Sequence, residues 1–478
     1  MVNTFVQPRK SGPSAPGPSW PDGAVPRSRP TSARRGGFRI RYGPDWPLVV
    51  LITGFPLWWL LGMSEILVFV LAVPMALQLV RRRTVVVPRG FGWWLLFLLW
   101  MLVGLPLLFT DAPDGVTDSG AGRIPVFVYR AIWYLACTTI LLWVGNLDER
   151  DLPTRRVMRL LGWLFVVTTA GGLLGVFASH FELTSLVELV LPKGITSSPF
   201  VKALAHPQAA EIQNVLGPDL ARPIAPFAYA NSWGSNFALT LPFFLVSWLG
   251  PEGGWRRRVA PVVLLLSAIP VIYGLNRGLW ICLGLGALVL AIRLAFSGRA
   301  SALVALGATL VLGMGLIFAS PLGTLLVERL HHGHSNSRRG ELLTTTVKST
   351  VEGSPVAGFG STRRVQGSFD SIAGGSTPDC RACGVPPMGT QGQIWLVIFS
   401  QGLGGLAFFL AFFFSQFAHY WRSRTVLQSI GTVILLFYAV QLFIYDTLGW
   451  PLFIIMTSIG LMWRERWRGT AGSAGGAP

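Results

Sequence analysis

The chain has 478 residues, 51% of them hydrophobic and only 13% charged, with a mean hydropathy of +0.54 and 19 tryptophans. A soluble protein of this size cannot cover that much apolar surface with so few charges, so the composition excludes an ordinary soluble domain and points to a polytopic membrane protein. The formal net charge of +18 raises nucleic acid as a partner. However, the arginines fall in tails and in short segments beside apolar runs, a positive-inside placement that favours anionic lipid headgroups over nucleic acid.

Met1 to Tyr42 is rich in Pro, Ser, Gly and Arg and has no apolar h-region. It reads as a disordered basic tail kept in the cytoplasm, so the chain inserts through its own first helix. A membrane helix needs about 20 apolar residues. Twelve stretches qualify at roughly 46–62, 64–80, 91–109, 125–144, 158–178, 234–249, 259–275, 279–296, 301–319, 392–414, 426–445 and 448–463.

The charged segments between them alternate. With the N-terminus inside, Arg81 to Arg83, "DERDLPTRR" (Asp148 to Arg156), Arg256 to Arg258, "RSR" (Arg422 to Arg424) and "RERWR" (Arg464 to Arg468) all lie inside. The expected fold is all-α: a multi-pass protein of the cytoplasmic membrane with about twelve transmembrane helices and both termini cytoplasmic. Its divisions are a tail over 1–45, five helices over 46–178, an extracytoplasmic loop over 179–233 and four helices over 234–319. A larger extracytoplasmic loop over 320–391, three helices over 392–463 and a tail over 464–478 complete it. Segments as long as the two outer ones are functional or disordered.

Of the four cysteines, Cys137 and Cys282 lie in apolar runs and read as core residues. Cys380 and Cys383 form "CRAC" in the second outer segment, where a disulfide is favoured over a metal site because no second ligand pair accompanies them. No metal cluster or cofactor motif is in view.

The stretch "VIYGLNRGLWICLG" (Val271 to Gly284) sets one arginine, Arg277, between two apolar runs. Snorkelling to the headgroups accounts for such a residue by itself. Two other outer elements also carry arginine. "RPIAPFAYAN" runs from Arg222 to Asn231, and "SRRGELLTTTVKSTVEGSPVAGFG", ending at Gly360, brings Arg338 and Arg339 into a short helix that stops at Gly-Ser-Pro. Arg130 in "VYRAIWYL" is a further arginine within an apolar run, with Glu65 or Asp446 as alternative partners to a bound donor.

In order and wording these elements, together with "NRG" (Asn276 to Gly278) and "TQGQIWLVIFSQGLGG" (Thr390 to Gly405), resemble the O-antigen ligase and lipid-linked glycan polymerase family. The resemblance covers roughly 220–410. It implies a membrane glycosyltransferase, independent of metal and cofactor, that moves a polyprenyl-diphosphate-linked glycan to a glycan, lipid or wall acceptor at the outer face. By the same resemblance Arg277 and Arg338 are the catalytic diphosphate contacts, with Arg222, Arg339, Asn231 and Gln391 binding substrate; Arg130, from its place in an apolar run, is a further candidate to bind substrate. Counting back from Gly-Leu-Gly-Gly, the family histidine falls at or next to Gln391, and a glutamine takes up no proton at neutral pH. His331, His332 and His334 are the alternative bases, since imidazole titrates near neutrality. The rival classes are a transporter or flippase of the same lipid-linked glycan and a non-catalytic envelope-assembly scaffold.

Overall fold

The computed structural model describes residues 43–117, 120–196, 199–214, 219–318, 323, 334–364, 387–422 and 425–474. The basic tail, His331, His332, Cys380 and Cys383 lie outside them.

All twelve apolar stretches are helical. The first is two short helices, α1 (Trp46–Thr53) and α2 (Phe55–Leu60), because Gly54 intervenes and Pro56 has no N–H to carry the ladder across. There follow α3 (Ile66–Val80), α4 (Phe91–Leu107), α5 (Ile124–Asn146) and α6 (Thr154–Phe177). The first outer segment contains α7 (Leu186–Val190), α8 (Lys193–Thr196) and α9 (Pro199–Ala205). It also holds an antiparallel hairpin of β1 (Ala210–Asn214) and β2 (Asp219–Pro223), in a region read from sequence as loop. Next come α10 (Ala230–Leu249), α11 (Arg256–Tyr273), α12 (Arg277–Phe296) and α13 (Ala300–Phe318). The second outer segment supplies α14 (His334–Gly353), and the chain closes with α15 (Gln393–Tyr420), α16 (Val426–Gln441) and α17 (Trp450–Ala474).

Among the described residues, four helical spans are long and apolar enough to cross a membrane: Gly120–Asn146, Thr154–Phe177, Arg277–Phe296 and Gln393–Tyr420. Ile66–Val80, Phe91–Leu107, Ala300–Gly313 and Val426–Gln441 are shorter apolar helices. The chain is thus a membrane-embedded protein, mainly helical and with almost no sheet among the described residues. Since lipid tails are as apolar as leucine, helix association must come from close packing and polar contacts. Aromatic rings supply much of the packing: Trp94 and Phe97 of α4 meet Tyr134 of α5 and Phe409 of α15, all buried, with centroids 5.1–6.1 Å apart. Cys137 and Cys282 are buried free thiols, as core residues should be.

Helix ends collect into two sets. At one, the tail end, Arg156 pairs with Asp45, Arg155 with Glu252, and Arg82 donates to the Asn146 carbonyl at 2.6 Å. Arg464, 2% exposed, donates to the Leu152 carbonyl at 2.8 Å and pairs with Glu149 at 3.1 Å. At the other, the loop end, Arg123 and Arg363 are both buried and donate to carbonyls at the C-terminus of α4. Arg123 Nη1 reaches Leu108 O at 2.7 Å and Arg363 Nη2 reaches Leu107 O at 3.2 Å. The last carbonyls of a helix have no partner in the helix and carry its negative dipole end, so guanidinium groups suit them. These two arginines do structural work.

The helix α15 breaks at Gly402, whose φ of 65° only glycine adopts without strain. In an unbroken helix the Leu403 and Gly404 amides would bond the carbonyls of Phe399 and Ser400. Instead the segment Pro355 to Gly360 is inserted. Phe359 N and Gly360 N donate to those two carbonyls, each at 2.8 Å, while Leu403 N and Gly404 N donate to Pro355 O at 2.8 Å and Val356 O at 3.1 Å. Trp100 Nε1 donates to Gln401 O at 3.0 Å. The kink leaves these backbone groups bonded, as burial away from water requires. The glycine-rich pieces "PVAGFG" and "SQGLGG" are the two halves of one joint.

Candidate functional site

Arg277 is the first residue of α12 and is half-buried. Asn276 caps that helix: its Oδ1 accepts from Leu279 N at 3.1 Å, while its Nδ2 donates to Ala230 O at 3.2 Å. Tyr445, in the turn between α16 and α17, donates its hydroxyl to the same Asn276 Oδ1. Next to Arg277, Gly278 leaves room for that ring, since a Cβ there would stand 2.4 Å from the Tyr445 hydroxyl oxygen. Leu275, buried, holds a positive φ of 47° just before the cap. Strain of that kind persists where surrounding structure over-determines it and is enriched at functional sites. A helix N-terminus already presents N–H groups and positive dipole to an anion; Arg277 adds a full charge to it.

Arg222 is brought to the same turn. It lies on β2 opposite Glu211 of β1, is 8% exposed, and donates Nε to Gly274 O at 3.0 Å. Arg222 and Arg277, 55 residues apart in the chain, are therefore attached to one four-residue turn.

The next layer is built from amides and a carboxylate. Asp446, adjacent to Tyr445, accepts from Gly392 N at 3.0 Å and Gln391 N at 3.3 Å. Gln391 is half-buried with a positive φ of 69°. It is Gln393, not Gln391, whose amide is buried and fully engaged. Nε2 donates to the Tyr134 hydroxyl at 2.9 Å, and Oε1 accepts from Thr447 N at 3.2 Å and Leu448 N at 3.0 Å. Arg130, in the second turn of α5, donates Nη2 to Thr362 Oγ1 at 3.3 Å. Glu65 instead meets the Tyr129 hydroxyl at 3.5 Å.

The other sequence candidates are less tightly joined to this turn. Asn231 is half-buried in the first turn of α10, one residue after the carbonyl that Asn276 bonds. Arg338, Arg339 and His334 are on α14, and their side chains lie outside the described part of the structure. That helix docks at the loop end along one face. Leu342 packs with Ala112, Phe359, Met388 and Phe399, Thr346 Oγ1 accepts from Gly389 N at 3.3 Å, and Ser349 Oγ donates to Pro113 O at 2.6 Å.

Sequence reasoning missed His206. Its Nδ1 is 2.7 Å from Glu188 Oε2 and its Nε2 is 3.5 Å from Glu182 Oε2. With Trp59, Ser64, Glu65 and Phe227 it borders a small cavity whose wall leads, through Ala228, to Ala230 and the Asn276 cap. The dipeptide His-Pro in a polar segment carries no spacing signal for such a pairing. Asn276 was legible as part of "NRG" and Asp446 as an alternative partner of Arg130, while Tyr445 carried no signal.

Fold and site together define a membrane-embedded helical protein with a cluster of arginines, amides and carboxylates at one end. Among the described residues no group of three or more His, Cys, Asp or Glu stands ready to hold a metal. No family model and no curated protein matches the chain.

Proposed function

We propose that the protein is a glycosyltransferase of the cytoplasmic membrane that transfers a polyprenyl-diphosphate-linked glycan to a glycan, lipid or wall acceptor outside. Twelve passes would put both tails in the cytoplasm and the loop end outside. The observation that carries the reading is the joining of Arg222 to the turn that starts the Arg277 helix. It supports a site built for a multiply charged anion, and a diphosphate is the anion that a lipid-linked donor presents at a membrane surface.

The chemistry follows from the leaving group. An acceptor hydroxyl oxygen bonds the anomeric carbon as the bond from that carbon to the diphosphate oxygen breaks, and the electron pair departs on the diphosphate. The acceptor's proton is released to a base or to water. Guanidinium groups stay charged and grip phosphate oxygens two at a time, so Arg277 and Arg222 would hold the charge as it grows. In this reading Arg338 and Arg339 complete the grip, with Gln391 and Asn231 facing the sugars.

The break at Gly402 favours a transporter, whose sites sit on interrupted helices near the midplane. Here the groups freed by the break are bonded by Pro355 to Gly360, and the arginines gather at the loop end instead. That supports an enzyme over a carrier.

The test is the lipid-linked glycan pool of a deletion strain, probed for access from outside intact cells and complemented with wild type or Arg277→Ala. Removing one such donor is expected to cost about 100-fold to 1000-fold in transfer. Outward accumulation corrected by wild type but not by a well-expressed Arg277→Ala supports the assignment. Accumulation confined to the inside means a flippase, and no accumulation leaves the scaffold.

A further inference from the structure

The tail end carries a groove of about 790 Å³ where the last turns of α15, the turn after it, the start of α16 and the middle of α17 meet. It lies at the opposite end of the bundle from Arg277. Its walls are of two kinds. One is aromatic: Phe414 is 72% exposed, Trp421 is 60% exposed, and Phe417 packs on Trp421 with centroids 5.3 Å apart. The other is cationic, formed by Arg422 and Arg466, with His419 beside them.

Arg466 is set across the end of α15. Its Nη1 donates to His419 O at 2.9 Å and its guanidinium lies 6.0 Å from the centre of the Tyr420 ring. Arg422 is exposed in the turn beyond. Arg89, just before the neighbouring helix α4, is held against α15, its carbonyl accepting from Gln416 Nε2 at 2.6 Å. The adjacent acid, Glu465, accepts from Thr425 Oγ1 at 2.8 Å and is not among the lining residues. The groove is therefore positive, open, and continuous with an exposed aromatic face that belongs against acyl chains.

We propose that this groove binds an anionic phospholipid, with the headgroup phosphate between Arg422 and Arg466 and an acyl chain along Phe414 and Phe417. The volume is within the range of about 300–1,000 Å³ that encloses small ligands. A soluble phosphate would satisfy the arginines but has no use for the aromatic wall. A neutral lipid would satisfy the wall but bring no net negative charge to the arginines. Both requirements are met by an acyl lipid with a phosphate and net negative charge, held at the level where basic residues meet headgroups.

The full chain would be purified and returned to nanodiscs of phosphatidylcholine containing a minor fraction of phosphatidylglycerol, and the lipids retained on gentle release counted by native mass spectrometry. Wild type is expected to keep phosphatidylglycerol selectively. Arg422→Gln with Arg466→Gln is expected to lower that retention by at least about tenfold, since both charge-assisted contacts to the phosphate are lost. Arg422→Gln alone, at an exposed position that folding does not depend on, should give a smaller fall, and Arg422→Lys should restore most of it. Retention in the double variant equal to wild type overturns the proposal. So does displacement of the lipid by inorganic phosphate at equal concentration, because the occupant is then a free anion.

Discussion

The hydroxyl of Tyr445 donates to the side-chain oxygen of Asn276, the residue immediately before Arg277. These groups are 169 residues apart in sequence, and their bond ties the start of α12 to the turn between α16 and α17. Tyr445→Phe removes this donor from a buried cap. We expect a stability loss of about 0.5–1.5 kcal/mol and a larger fall in transfer, since Arg277 loses its fixed base. Thermal unfolding in detergent and the lipid-linked glycan pool, measured on the same variant, separate the two effects.

Gly402→Ala tests the joint between the broken helix and the Pro355 to Gly360 segment. The positive φ costs about 1–3 kcal/mol for a non-glycine residue, and the new Cβ would stand 2.3 Å from the Val356 carbonyl oxygen. The expected outcome is a sharp fall in folded protein in the membrane, read by protease resistance. Wild-type resistance would show that the helix can straighten and shed the inserted segment.

Arg363→Gln withdraws a guanidinium that donates to Phe359 O at 3.0 Å and Leu107 O at 3.2 Å. Leu107 O keeps Thr110 Oγ1 at 2.8 Å, but Phe359 O loses its guanidinium, and a buried carbonyl left unsatisfied costs about 1–3 kcal/mol. The unfolding midpoint should drop, while affinity for a diphosphate ligand in the folded fraction stays near wild type. A selective loss of diphosphate binding with an unchanged midpoint would move Arg363 from scaffold to site.

His206→Ala releases Glu188 and Glu182 from one ring. Hydrogen exchange over 181–196 and 199–209 should speed up by about tenfold, the scale of one lost charge-assisted contact. Exchange in α4, α5 and α15 should not change, because their hydrogen bonds do not involve this segment.

The apolar runs and their punctuation set out the helical segments without reference to the fold. Run length, the Arg-rich stretches between runs and the Gly-Ser-Pro after Glu352 are local signals, and a helix lies on each apolar run and α14 ends at Gly353, but α17 runs on through "RERWR" to Ala474 and α7 to α9 lie in a segment read as loop. Even the first helix broke at a local cue, Gly54 with Pro56 beyond it. Partnership was not local. Nothing in the spacing of arginines separates Arg222, bonded to the Arg277 turn, from Arg363 and Arg123, which close the end of α4. The same holds for Gln391 and Gln393, two residues apart, of which only the second has its side chain locked by Tyr134 and Thr447. A guanidinium or an amide takes whichever acceptors packing brings within about 3 Å. Those acceptors come from chain segments tens to hundreds of residues away, so only the tertiary structure assigns each polar group to scaffold or to site.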